Sequence, residues 1–131
     1  MWAWFRANAP TRYRAALASG LAVSVNTTLE PDVLLLHREL AERQTHFSTP
    51  NRVVIAVEVV SPGTRKRDRF EKPIEYANAG IPHFWRIEQD PVHIYAYELT
   101  DGAYQRIHES DDEVVLDRPF GIRLPVRAIT P

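Results

Sequence analysis

The chain contains no cysteine, which excludes disulfides and thiolate metal sites and fits a reducing compartment, with the cytoplasm as the expected location. It has no apolar run near the roughly 18 residues that a membrane span needs. Its opening, MWAWFRANAP, lacks the basic-then-apolar layout of a secretion signal. No glycine-rich phosphate loop and no nucleophile elbow occurs, so P-loop nucleotide hydrolysis and serine chemistry have no support. The histidines (His37, His46, His83, His93 and His108) never pair at i+3 or i+4 and make no metal motif. Lysine is scarce as well. Of sixteen Lys and Arg residues only two are lysine, Lys66 and Lys72, and both lie between Arg65 and Lys72. Lysine can be tuned by its surroundings where arginine cannot, so that stretch stands out, although a solvated charge run has the same composition. The net charge of -1 provides no general affinity for polyanions, and contact with nucleic acid has to come from a local patch.

What is present suits one globular domain, residues 1–131, with 44% hydrophobic and 25% charged residues. Through RYRAALAS and its stop at Gly20, the chain reads as a short helix. LAVSVNT (21–27) and PDVLLLH (31–37) read as strands, the second admitting proline only at its beginning. RELAERQ (38–44) is helical in composition. RVVIAVEVV (52–60) is the most β-branched stretch and is expected to be a central strand buried on both faces. SPGT breaks it. Helical spacing then runs from about Asp68 to Ala79, stopped by Gly80 and Pro82, and Pro73 requires that helix to start near Glu71 or to kink. HFWRIE, VHIYAYEL, AYQRIHE and EVVL follow as strands with hairpin-length connections. The order argues a mixed α/β or α+β domain around one sheet.

If the strands at 31–36 and 53–60 are antiparallel neighbours, a register with i + j near 90 pairs Leu36 with Val54 and Asp32 with Glu58. Opposed residues share one face at about 5 Å. Two carboxylates there repel unless a cation lies between them or one is protonated, and oxygen ligands at that separation suit Mg²⁺. Glu58 shares its face with Val54, Ala56 and Val60, where a lone charge costs several kcal/mol. From periodicity, metal ligand and structural ion pair with a following arginine are equally good readings of it. On the helix, Asp68, Lys72 and Tyr76 make one polar face and Phe70, Ile74 and Ala77 an apolar stripe. A solvated face with an Asp68–Lys72 pair is the bland reading of the polar side. Beside Glu58, the lysine is also a candidate for stabilising negative charge on a reacting phosphate.

EPDVLLLH, followed by VVIAVEVVSPGTRKRDRFEKPIEYANAGIPHFWRIE, resembles the Uma-type restriction endonuclease family of the PD-(D/E)XK nuclease superfamily. The ordered pattern runs from residue 30 to about 125: a Pro-Asp strand, a strand ending Glu-Val-x-Ser-Pro, a basic run, then Asp, Lys, Tyr and a Gly-Ile-Pro-x-Phe-Trp strand. The resemblance implies a restriction-endonuclease-like mixed central sheet flanked by helices, with an antiparallel C-terminal meander and a shortened N-terminal part. It implies a Mg²⁺- or Mn²⁺-dependent DNA endonuclease, working as a homodimer, with Asp32, Glu58 and Lys72 as catalytic residues. Asp32, Glu58 and the Val59 carbonyl would hold the metal, and Glu30, Asp68 and Tyr76 would support them. Arg65, Lys66, Arg67 and Arg69 would meet the nucleic acid. In most of the superfamily the lysine stands two residues after the second acid; here Val60 stands there and the lysine lies on the helix, as in this family. The alternative is a catalytically degenerate module of the same fold that binds nucleic acid or serves in oligomerisation.

Overall fold

The computed structural model describes residues 1–17, 20–24, 27–38, 49–63 and 67–130. Its centre is β5 (Val53–Val59), every residue of which is buried except the half-buried Val59. β5 pairs antiparallel with β4 (Val33–His37) and parallel with β6 (His83–Glu88). Beyond β4 lies β1 (Tyr13–Leu17), and beyond β6 lie β7 (His93–Thr100) and β8 (Ala103–Ser110), giving the order β1-β4-β5-β6-β7-β8. Two hairpins, β2 (Leu21–Ser24) with β3 (Thr27–Leu29) and β9 (Glu113–Leu116) with β10 (Ile122–Pro125), complete the strands. The parallel β5–β6 pair needs a crossover, and this carries α2 (Lys72–Asn78). No helix among the described residues is long and apolar enough to cross a membrane.

The sheet is packed on both faces. On one, α1 (Trp2–Asn8) sets Phe5 against Trp85 at 5.5 Å, and β9 and β10 add Val114, Leu116, Ile122 and Leu124. On the other, α2 sets Tyr76 over Phe84 at 5.7 Å, with Leu34, Leu36, Ala56 and Ile81 around them. Gly80 takes φ +80, and the Ile81 N–H then bonds the Tyr76 carbonyl at 3.1 Å, which closes α2.

Two local expectations change, and a third is made specific. RYRAALAS is not helical: Tyr13–Leu17 is an edge strand, because the outer edge of β4, buried from Val33 to Leu36, needs a pairing partner and that requirement overrides an alanine-rich composition. The β4–β5 register follows i + j = 90 at Val33↔Val57, Leu34↔Ala56 and Leu35↔Ile55, but a bulge then pairs Leu36 with Val53 rather than Val54. The helix starts after Glu71, as Pro73 requires. A π-helical turn at Arg67–Glu71 runs into α2. Pro73 has no N–H to return to the Arg69 carbonyl, and the wider winding precedes it. The helical reading of 38–44 falls, beyond Arg38, outside the described residues.

Candidate active site

The helix faces the opposite way from its apolar stripe. Phe70 and Ile74 are 66% and 63% exposed, whereas Asp68 and Tyr76 are buried. The reason is Glu58, 1% exposed at the sixth position of β5. A carboxylate buried among Ala56 and Phe84 has to be hydrogen-bonded and charge-balanced, and among the described residues the polar face of the helix does this. The Tyr76 hydroxyl donates to Glu58 Oε1. Lys72 Nζ donates to Glu58 Oε2 at 3.1 Å and stands 3.0 Å from Asp68 Oδ1. The i, i+4, i+8 spacing of Asp68, Lys72 and Tyr76 is thus spent on one strand residue. The stripe Phe70–Ile74 is left outside.

Burial pushes the Glu58 carboxyl up to about 7, against the opposing pull of the Tyr76 hydrogen bond and the Lys72 charge, and the negative charge of Asp32 adds to the rise. Burial pulls the Lys72 ammonium down, but its bonds to Asp68 and Glu58 outweigh this and hold it above the ordinary lysine value. Burial and the Glu58 charge drive the Tyr76 phenol far above its ordinary value. Near neutral pH the group is therefore a fixed ammonium, a fixed phenol and a carboxyl close to its midpoint.

Asp32 comes to the same place from β4. It precedes Val33, is exposed, and accepts the Val59 N–H through Oδ2 at 2.7 Å. Continued by one step, the Val33↔Val57 register sets Asp32 opposite Glu58. A strand residue presents its N–H and carbonyl to the same neighbour, so the Val59 carbonyl faces the Asp32 side too. Downstream, Val60 bonds the Ile87 carbonyl at 2.8 Å and Gln89 bonds the Val60 carbonyl at 3.0 Å, fixing the end of β5 against β6.

The remaining expected residues are more scattered. Glu30 is exposed between β3 and β4. Arg69 is paired with Glu88 through both Nε and Nη2. Arg65, Lys66 and the side chain of Arg67 lie outside the described residues. The structure adds Arg86, Glu88 and Tyr95, which sequence reasoning had left among the core strands. Alternation in HFWRIE was the available signal, since it sets Arg86 and Glu88 on the face opposite Trp85 and Ile87.

Two carboxylates and a backbone carbonyl form an oxygen-only donor set. Among the described residues, no three His, Cys, Asp or Glu side chains gather as a metal site. Mg²⁺ does not require three: it keeps several waters and is held by one or two carboxylates together with substrate phosphate. An oxygen-only set of this kind could take such an ion, with the exposed Asp32 carboxylate open to it. Replacing Tyr76 by phenylalanine is expected to cost about 1.5–3 kcal/mol at pH 8, where Glu58 is charged, and less at pH 5, since hydrogen bonds to charged groups are the stronger ones. Urea unfolding at the two pH values measures this.

The family model described as "Uma2: Putative restriction endonuclease" matches residues 1–127. Among solved structures, a "putative nuclease belonging to DUF820" from Anabaena variabilis ATCC 29413 superposes with a TM-score of 0.67 at 15% identity, covering 90% of this chain and 68% of that one. No curated protein matches the chain in sequence. The match begins ahead of the Pro-Asp strand, so α1 and β1 fall within it.

Proposed function

Because the chain belongs to the Uma2 family, we propose that it is a divalent-metal-dependent endonuclease hydrolysing phosphodiester bonds of DNA, with Asp32, Glu58 and Lys72 at its centre. The observation that carries this reading is the carboxylate of Glu58, buried at a strand end, held by Lys72 and Tyr76, and standing beside exposed Asp32.

Asp32, Glu58 and the Val59 carbonyl would hold the ion, Mg²⁺ or Mn²⁺. When bound there, it supplies positive charge to the phosphoryl group and acidifies water. The rest falls to the protein. Lys72 stays an ammonium at any working pH, so it acts by charge, stabilising negative charge that develops on phosphate oxygens, and not as a general base. Tyr76 likewise keeps its proton and orients Glu58. Asp68, 3.0 Å from the same ammonium, helps keep it in place. Symmetric cutting of both strands would use a homodimer.

One feature favours the alternative, a module that binds without cutting: both Glu58 oxygens already carry a donor, as in a structural ion pair. Incubation of supercoiled plasmid with Mg²⁺, Mn²⁺ or EDTA separates the two. Nicking with either metal and none in EDTA supports the nuclease. Plasmid retention on a gel without nicking in either metal supports the binding module.

A further inference from the structure

The face that carries Glu58 continues past α2 as a row of half-buried polar and aromatic side chains. The β5–β6 register sets Glu58 beside Arg86, the β6–β7 register sets Arg86 beside Tyr95, and the β7–β8 register sets Tyr95 beside Glu109. Burial alternates along β7: Ile94 and Ala96 are buried underneath, while His93, Tyr95 and Tyr97 are half-buried on the row's face. Phe84 lies beneath Tyr76, while Arg86 and Glu88, on the same face, keep 17% and 16% of their side chains exposed and Arg69 above them keeps 37%.

The Arg86 guanidinium does not reach back to Glu58. It lies over the Tyr95 ring at 4.4 Å and its Nε stands 3.1 Å from Glu88 Oε2. Arg69, from the π turn, forks onto the same carboxylate. Glu88 thus gathers two guanidinium groups, while Glu109 is engaged by Arg106 at 2.7 Å and by His93. Two fixed cations on one carboxylate leave an excess positive charge. Stacking on tyrosine and a carboxylate partner hold one of them in a defined plane. Adjacent strands are about 4.8 Å apart, so this pair begins one strand spacing from Glu58.

We propose that Arg86 and Arg69, joined on Glu88 beside the Tyr95 ring, form a phosphate subsite that takes the DNA phosphate one or two positions along from the bond at Asp32 and Glu58. It rests on the nuclease reading above and sets the path of the substrate: the strand crosses the sheet from β4 toward β7. Arginine is the residue suited to this task, because its planar fork matches phosphate oxygens.

The experiment is fluorescence anisotropy of labelled duplex DNA in Ca²⁺, as a function of salt, for wild type, Arg86→Met and Glu88→Gln, with thermal melts of each. Arg86→Met is expected to weaken binding and to lower the slope of log affinity against log salt by about 0.9, the value for one lost phosphate contact. Where cleavage is measured, it should raise KM and leave kcat unchanged. Glu88→Gln, which frees both arginines from their carboxylate, is expected to tighten binding, and it reads the subsite even if Arg86→Met fails to fold. Wild-type binding with an unchanged slope in Arg86→Met, or unchanged affinity in Glu88→Gln, overturns the subsite and leaves the nuclease reading standing. A wild type that binds no DNA at any salt concentration overturns both.

Discussion

Replacing Glu58 by glutamine is expected to abolish cleavage and, in EDTA, to raise stability at pH 8. The folded carboxyl titrates at about 7 against an ordinary 4.5. A group whose folded pKa is raised contributes stability that is fully present below the unfolded value and lost as pH rises through the folded one. For Glu58 that loss occupies the window from about 4.5 to about 7, and a difference of this size corresponds to roughly 3 kcal/mol. Glutamine does not titrate, keeps an acceptor for Tyr76, and leaves Lys72 its partner Asp68. The wild type should therefore lose stability between pH 5 and pH 8 faster than the variant does, by up to about 3 kcal/mol. Thermal melts at the two pH values, beside a plasmid assay, measure both effects. A variant less stable at both pH values makes Glu58 a structural ion-pair partner, because removing one member of a buried pair strands the other.

The second large effect is that of Lys72→Met. Two carboxylates, Glu58 and Asp68, share this ammonium, and its loss leaves Glu58 buried without the cation that faces it. Breaking a buried pair in this way typically costs about 3–5 kcal/mol. The cost should be smallest at pH 5, where Glu58 takes up a proton, and grow toward pH 8. Activity is expected to fall by about 10²–10³-fold, the usual consequence of removing one preorganised donor to a developing oxyanion. Lys72→Arg keeps the charge but not the compact geometry. It should recover most of the stability and little of the rate. Urea unfolding across this pH range, with single-turnover cleavage of the same proteins, checks the pair of results. Full activity in Lys72→Arg would mean that charge alone is required there.

Much of this arrangement was legible in the chain. The β-branched run through Val59 had to be a central strand, the hairpin connections announced the meander, and the i + j = 90 register set Asp32 against Glu58 before any coordinates. The observed pairs Val33↔Val57 through Leu35↔Ile55 follow that register. The failures share a physical origin: local pattern was overruled by a need elsewhere in the fold. Tyr13–Leu17 has a helix former's composition, yet β4 required an edge partner. The helix orientation is not among these: its polar face was read beside Glu58, and because a helix can present only one face to the sheet, Phe70 and Ile74 are left exposed. The desolvated Glu58 claimed the face bearing Lys72 and Tyr76. Hydrophobic periodicity gives no weight to satisfying one buried charge, and that charge decided the orientation. Arg86 and Glu88 were missed for the converse reason. They sit in an apolar strand whose alternation is visible, while the meeting of Arg86 and Arg69 on Glu88 depends on the fold.

The central claim is that Asp32 and Glu58 together hold a divalent ion. Calorimetric titration of Mn²⁺ into the metal-free protein and into Asp32→Asn at pH 8 tests it directly, because Asp32 is exposed and its replacement leaves the Lys72–Glu58–Tyr76 group intact. The account predicts saturable binding by the wild type and its loss in Asp32→Asn, with both proteins folded. Equal binding by the two, or none by the wild type, contradicts it.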